Sequence, residues 1–357
     1  MARSNIFISI CRLVGWLAVI CIPLGIIAGG SIFSVKDYLL EPIDAQSTEK
    51  IVVEVKPGTS FRSAAKLLEK EGLIKRWWSL EIISRLKRNN TIVAGEYELS
   101  KSMKPADILE KLLTGDILKR IVLFKEGTSV KELGKIVEAA GLGSNAEFTK
   151  TLFDPKIIES AGVGGGSFEG YLFPDTYHFT RPISARDIIW TMLERGEKIW
   201  ADNPAYQEQA VQLGMSRHEI LTLASIIEKE SGNVDEQPFI SSVFHNRLAD
   251  GMRLESDPTA VYAIPGFSGK IYRKHIETIT PYNTYQIDGL PPGPICSPGH
   301  SAIKAALYPA KSNYRYFVSD ARGGHIFSVT LKEHNRAVQF YRRAIQSKEE
   351  QQLQPQQ

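Results

Sequence analysis

The chain has 357 residues, with 43 lysines and arginines against 40 aspartates and glutamates, for a net charge of +3. That length allows roughly two or three domains with a real core, and the nearly balanced charge comes with no long basic stripe along the sequence, so a large nucleic-acid surface is not expected. Of the three cysteines, Cys11 and Cys21 lie in the apolar N-terminal segment and Cys296 stands alone, so neither a zinc-site pair nor a disulfide framework is expected.

From Leu13 to Phe33 no charge interrupts the chain. At a helical rise of about 1.5 Å per residue this run reaches roughly 30 Å, the thickness of a bilayer core. Arg3 and Arg12 precede it; Lys36 follows, with Asp37, Glu41 and Asp44 close behind. The positive-inside rule predicts a cytoplasmic N-terminus over 1–12, one helix across the inner (plasma) membrane over 13–35, and an extracytoplasmic remainder. Pro23 and Ala28-Gly29-Gly30 also suit a cleaved signal peptide. The run exceeds a usual signal core, however, and an uncleaved anchor is the stronger reading.

Residues 36–49 read as a short acidic linker. One pattern then occurs twice. Lys56-Pro57-Gly58-Thr59-Ser60 leads into an amphipathic stretch closed by Gly72, and Lys125-Glu126-Gly127-Thr128-Ser129 leads into another closed by Gly141. The hydroxyl residues are natural N-caps and the glycines fit helix C-termini. A further helix is expected from Pro105 to Leu113. Residues 50–122 therefore read as a small α/β module, with the second copy opening the next domain. The order of strand, turn, helix and Gly-Leu-Ile resembles glycan-binding LysM domains; a spacer without a ligand fits it equally.

Residues 123–345 read as a mixed α+β domain. Gly164-Gly165-Gly166-Ser167 is not a phosphate loop, because no Gly-Lys-Ser/Thr follows; it predicts a flexible turn. The next segment, Phe168-Glu169-Gly170-Tyr171-Leu172-Phe173-Pro174-Asp175-Thr176-Tyr177, is dense in aromatics. Aromatic faces beside carboxylates hold sugar rings, but they also fill ordinary cores, and the core is the stronger reading of this segment by itself. Residues 346–357 have no apolar periodicity and are expected to be disordered.

Ser216-Arg217-His218-Glu219 is a capping box that opens a helix running to Glu230. Ile220, Leu223, Ala224 and Ile227 form its i, i+3, i+4, i+7 stripe. The helical wheel leaves the choice between Glu228 and Glu230 open. Position along the axis favours Glu230. At the C-terminal end the unpaired carbonyls disfavour an ionised carboxylate, and partial burial acts the same way. A carboxyl kept protonated near neutral pH is what a general acid needs. The loops downstream, rich in Pro, Gly, Asn and Tyr, offer neutral hydrogen-bonding groups and stacking faces suited to sugars.

Several of these segments together resemble one family. Leu223-Ala224-Ser225-Ile226-Ile227-Glu228-Lys229-Glu230, Ser256-Asp257-Pro258-Thr259, Tyr282-Asn283-Thr284-Tyr285, Gly289-Leu290-Pro291-Pro292-Gly293 and the Glu169 to Tyr177 segment are similar, in order and over nearly the whole chain, to the YceG-like endolytic murein transglycosylases. The resemblance implies an α+β fold: a transmembrane helix, a LysM-like module, and a catalytic domain with a glutamate-bearing helix. It implies that Glu230, the second glutamate of the triplet, is the catalytic acid/base. It further implies cleavage of the bond between N-acetylmuramic acid and N-acetylglucosamine in peptidoglycan strands, leaving a 1,6-anhydro end without any cofactor. Peptidoglycan synthases at the membrane are the implied protein partners, and termination of nascent strands the implied role. Tyr282, Asn283 and Tyr285 are the expected sugar contacts. Asp257, Glu169 and Asp175 are the other carboxylates expected at the substrate.

Two other functions fit the sequence. A hydrolytic muramidase would pair Glu230 with a second carboxylate. A membrane-anchored peptidoglycan-binding scaffold would use the module without catalysis. Metal chemistry is disfavoured, because His245, His275, His300, His325 and His334 form no HExxH motif or close cluster. His325 reads as a structural or loop residue, and Cys296 as an inert buried thiol.

Overall fold

A computed structural model of the protein describes residues 40–87 and 89–353. The cytoplasmic terminus, the membrane helix and the start of the linker expected from the sequence lie outside them. Among the described residues no helix is long and apolar enough to cross a membrane.

Two compact units are present. The first runs to Lys119 and takes in Thr180–Pro182; the second holds Arg120–Phe179 and everything from Ile183 onward. The first unit comprises β1 (Lys50–Val55), α1 (Phe61–Lys70), α2 (Trp77–Lys87), β2 (Gly95–Ser100) and α3 (Pro105–Thr114). β1 and β2 pair antiparallel from Lys50↔Ser100 to Val55↔Gly95. Alternation turns Val53 and Val55 inward, where they meet Tyr97, Leu68, Leu80 and Ile108 in one core. The helix α2 has no counterpart in the sequence reading.

The second unit begins with β3 (Arg120–Phe124), which pairs antiparallel with β4 (Asp175–Phe179). The expected boundary at 122/123 would have cut β3; the strand belongs wholly to the second unit because its partner lies there. Around this pair come α4 (Val130–Ala139), α5 (Asn145–Leu152), α6 (Pro155–Ala161) and α7 (Ala185–Ala201). The repeated pattern has one geometry in both copies. Ser60 caps α1 and Ser129 caps α4. Gly72 and Gly141 take φ of 69° and 70°. The next amides, of Leu73 and Leu142, return to the carbonyls of Leu68 and Val137. This is the Schellman closure that a left-handed glycine permits.

The chain continues through α8 (Ala205–Gln212), α9 (Arg217–Glu230), α10 (Gln237–Ala249), α11 (Asp257–Tyr262), α12 (Arg273–Ile276) and α13 (His300–Leu307). A hairpin of β5 (Tyr316–Ser319) and β6 (His325–Ser328) follows, then α14 (Leu331–Leu353). The architecture is a mixed α+β fold of helices and small antiparallel sheets, as expected.

The helix α9 differs from the one-sided helix its stripe implies. Every residue from Ile220 to Ile227 is buried, because α8, α10, α11 and α13 all pack on it. Thr222 and Ser225 are buried with the rest. Their hydroxyls donate to the carbonyls of His218 (2.8 Å) and Thr222 (2.7 Å) inside the core.

The segment from Phe168 to Pro174 is mostly core, with Phe168 and Leu172 fully enclosed, while Asp175 and Thr176 reach the surface. The expected flexible turn at Gly164 is a packed one. The Gly164 amide donates to Tyr171 Oη at 3.0 Å, and a Cβ there would stand 2.5 Å from that oxygen. Of the tail expected to be disordered, residues 346–353 continue α14, and 354–357 lie outside the described residues. Gln, Glu and Lys are good helix formers and extend an established helix without an apolar stripe.

Candidate active site

Glu230 is the last residue of α9. Ser231 leaves the helix in an extended conformation (φ −144°, ψ 125°), its amide still bonded to the Ile227 carbonyl. The other end is fixed by the Ser216/Glu219 capping box. The glutamate lines a groove of about 370 Å³. Arg247, Leu254, Glu255, Asp257 and Tyr285 share that groove, as do Phe317, Val318, Ser319 and His325 of the hairpin and His334 and Tyr341 of α14.

Glu228 does not line the groove. It accepts the Gly299 amide at 3.1 Å, just ahead of α13. The helical wheel left the two glutamates open; in the fold Glu230 lines this groove and Glu228 does not.

Burial pushes the Glu230 carboxyl up to about 7, and the charge of Asp257 acts in the same direction. The Ser256 hydroxyl, donating to Glu230 Oε1 at 2.5 Å, and the Arg247 guanidinium pull it down without overcoming burial. Ser256 is itself locked in place. Its amide donates to Thr284 Oγ1 (2.9 Å) and its carbonyl accepts from Thr259 Oγ1 (2.6 Å). Both threonines are wholly buried and bond each other.

Arg247, also buried, braces the same loop. Its guanidinium donates to the carbonyls of Arg253, Leu254 and Arg315 and to the Glu255 carboxylate at 3.1 Å. Glu255 adopts φ of 50°, the left-handed region, immediately before Ser256. Strain of this kind persists only where surrounding bonds over-determine it; here the Glu255 amide is held by the Thr284 carbonyl. The two other acids of the groove are each engaged. Glu255 pairs with Arg247, and Asp257 accepts Tyr285 Oη at 2.7 Å.

Of the expected site residues, the structure brings Glu230, Asp257 and Tyr285 together. Asn283 is corrected: it is fully buried, its amide donating to the carbonyls of Ile276 and Thr278 and its oxygen accepting the Tyr285 amide. With its amide committed to backbone, it folds the loop that presents Tyr285 and cannot reach a sugar. Tyr282 packs its ring on Tyr262 with centroids 4.8 Å apart, away from the groove lining. Glu169 is 2% exposed and accepts Ser129 Oγ, the Val130 amide and Tyr262 Oη. It ties the start of α4 to α11 rather than meeting a ligand. Burial pushes its carboxyl above the ordinary glutamate range, and those three donors pull the other way. Asp175 is ion-paired with Arg195 of α7 at 2.6 Å and is likewise outside the groove.

Sequence reasoning missed Ser256 as a partner of Glu230, although its motif was noted. It also missed Arg247 and the whole β5–β6 wall. A hydroxyl in a loop and an arginine in a helix carry no local mark of their partners. Cys296 is buried, as expected, and burial lifts its thiol far above the ordinary range. Among the described residues no cluster of His, Cys, Asp or Glu could hold a metal ion.

Comparison with known proteins agrees in kind. The model of the YceG-like family matches residues 53–340. The chain is 32% identical over 346 residues to an endolytic murein transglycosylase of Bacillus subtilis, with 91% of this chain and 93% of that one covered. It is 28% identical over 351 residues to an endolytic murein transglycosylase of Streptococcus pneumoniae, covering 88% of this chain and 63% of that longer one. The crystal structure of a yceG-like protein from Listeria monocytogenes is similar with a TM-score of 0.57 at 35% identity, covering 81% of this chain and 99% of that chain.

Proposed function

Since the chain belongs to the YceG-like family, we propose that it is an endolytic lytic transglycosylase of peptidoglycan strands with Glu230 as acid/base. The observation that carries the reading is a carboxyl raised to about 7 in a groove whose other acids are already engaged. Such a group holds a proton near neutral pH and gives it up to a leaving oxygen.

In the proposed reaction Glu230 protonates the glycosidic oxygen between N-acetylmuramic acid and N-acetylglucosamine as the bond from that oxygen to C1 breaks. The muramic 6-hydroxyl closes on C1, and its proton passes to the Glu230 carboxylate. The carboxyl is restored, no water is consumed, and the product carries a 1,6-anhydro ring. One carboxyl serves both proton transfers, so no second free carboxylate is required.

The rest of the chain fits a wall enzyme. Residues 13–35 supply the proposed inner-membrane anchor that places both units outside the cytoplasm. The first unit, in the order β1, α1, α2, β2, is the proposed LysM-like module for holding glycan. Neighbouring peptidoglycan synthases would supply the nascent strands whose growth cleavage ends.

Mass spectrometry of products from isolated glycan strands and the purified full-length chain tests the reading. Anhydro-ended fragments are expected. Reducing-end fragments, each heavier by one water, would instead make the protein a muramidase, and intact strands would make it a scaffold.

A further inference from the structure

His325 takes no part in the proton transfers above, yet it stands in the wall of the same groove as Glu230. It opens β6 directly after a tightly organised turn. Asp320 Oδ1 accepts the amides of Arg322 (2.6 Å) and Gly324 (2.9 Å), and the Asp320 amide returns to the Gly324 carbonyl. Beyond the turn, Glu236 holds His325 twice. Its Oε1 accepts the backbone amide at 3.1 Å, and its Oε2 accepts Nδ1–H at 2.8 Å. A Cβ at residue 324 would come within 2.9 Å of Glu236 Oε1, so the glycine makes room for that carboxylate. The edge of the ring meets Phe317, with centroids 5.3 Å apart at 88°.

An ionised carboxylate only accepts, so in the neutral imidazole Nδ1 carries the proton and Nε2 keeps a lone pair. Among the described residues nothing bonds Nε2. Nor is that nitrogen sealed in by protein, unlike Nδ1 of the neighbouring His334.

We propose that His325 is a substrate-contacting residue. Its Nε2 accepts a hydrogen bond from a neutral donor on the glycan, a sugar hydroxyl or an acetamido N–H, and Glu236 fixes the tautomer that makes it an acceptor. The inference rests on the glycan-cleaving reading and leaves both proton transfers with Glu230. A carboxylate that sets a histidine's tautomer from behind is a recurrent way to commit the opposite nitrogen to one task.

The test measures kcat, KM and Tm for His325→Asn, His325→Gln and Glu236→Gln in the detergent-solubilised full-length chain on isolated glycan strands. Asparagine reaches only the Nδ1 position and keeps the link to Glu236; glutamine reaches the Nε2 position. His325→Asn is expected to hold its Tm while kcat/KM falls at least tenfold, with His325→Gln retaining more activity. Glu236→Gln, whose amide can donate to Nδ1 and move the proton to Nε2, is expected to lose activity at unchanged Tm. Nitrogen NMR of the wild-type ring is expected to show the Nδ1–H tautomer. A folded His325→Asn protein with wild-type kcat/KM, or an Nε2–H ring in the wild type, overturns the inference. Should His325→Asn not fold, the Glu236→Gln kinetics and the tautomer decide it. Wild-type protein that cuts no glycan defeats the underlying reading instead, a result distinct from an indifferent variant in an active background.

Discussion

A glutamate that stays protonated close to neutral pH costs the fold some stability. Between about pH 4.5 and 7 the folded protein keeps the Glu230 proton while the unfolded chain has lost it, so stability falls as pH rises through that window. Glutamine at 230 does not titrate. Glu230→Gln is therefore expected to cut glycan turnover by about 100-fold or more. Its thermal stability should also gain on the wild type as pH rises from 4.5 to 7, by about 1–3 kcal/mol at the plateau. Melting curves across that range, alongside turnover, check both parts. Wild-type turnover should decline above about pH 7 as the acid form is lost. Ser256 donates to the ionised carboxylate and so holds this limit down. Ser256→Ala should move the alkaline limb of the kcat/KM profile to higher pH, with a smaller loss of turnover than Glu230→Gln; an unmoved limb would deny the hydroxyl its role.

Elements place these side chains by contacts that span the second unit. α9 ends at the groove because α8, α10, α11 and α13 enclose its shaft. The loop before α11 is held by the Thr259–Thr284 pair and by Arg247. Glu169 is the corresponding brace between α4 and α11. Its three donors need an acceptor on both oxygens, which a glutamine cannot offer. Glu169→Gln should lower stability by about 1–3 kcal/mol, seen as a reduced Tm, while kcat at 25 °C holds. A collapse of kcat at unchanged Tm would return Glu169 to the substrate side, where the sequence reading put it.

Over the whole molecule, every residue lining the groove belongs to the second unit, and the proposed anchor lies ahead of both units. Deleting residues 1–35 should move the protein from the membrane to the soluble fraction on cell fractionation and leave glycan cleavage intact; persistence in the membrane would point to a further attachment. The sequence by itself determined the features written in local order. These are the mixed α+β class, the capped ends of α1, α4 and α9, the glycine closures at 72 and 141, and a glutamate at a helix end. Each depends on residues a few positions apart, so neighbouring identities suffice to specify it. Only tertiary structure decided that Glu230 rather than Glu228 meets the groove, that Asn283 and Glu169 are spent on internal bonds, and that a hairpin nearly a hundred residues downstream supplies the opposing residues. Burial and partner choice are sums over distant contacts, and a side chain's chemistry is set by which of its hydrogen bonds the fold has already used.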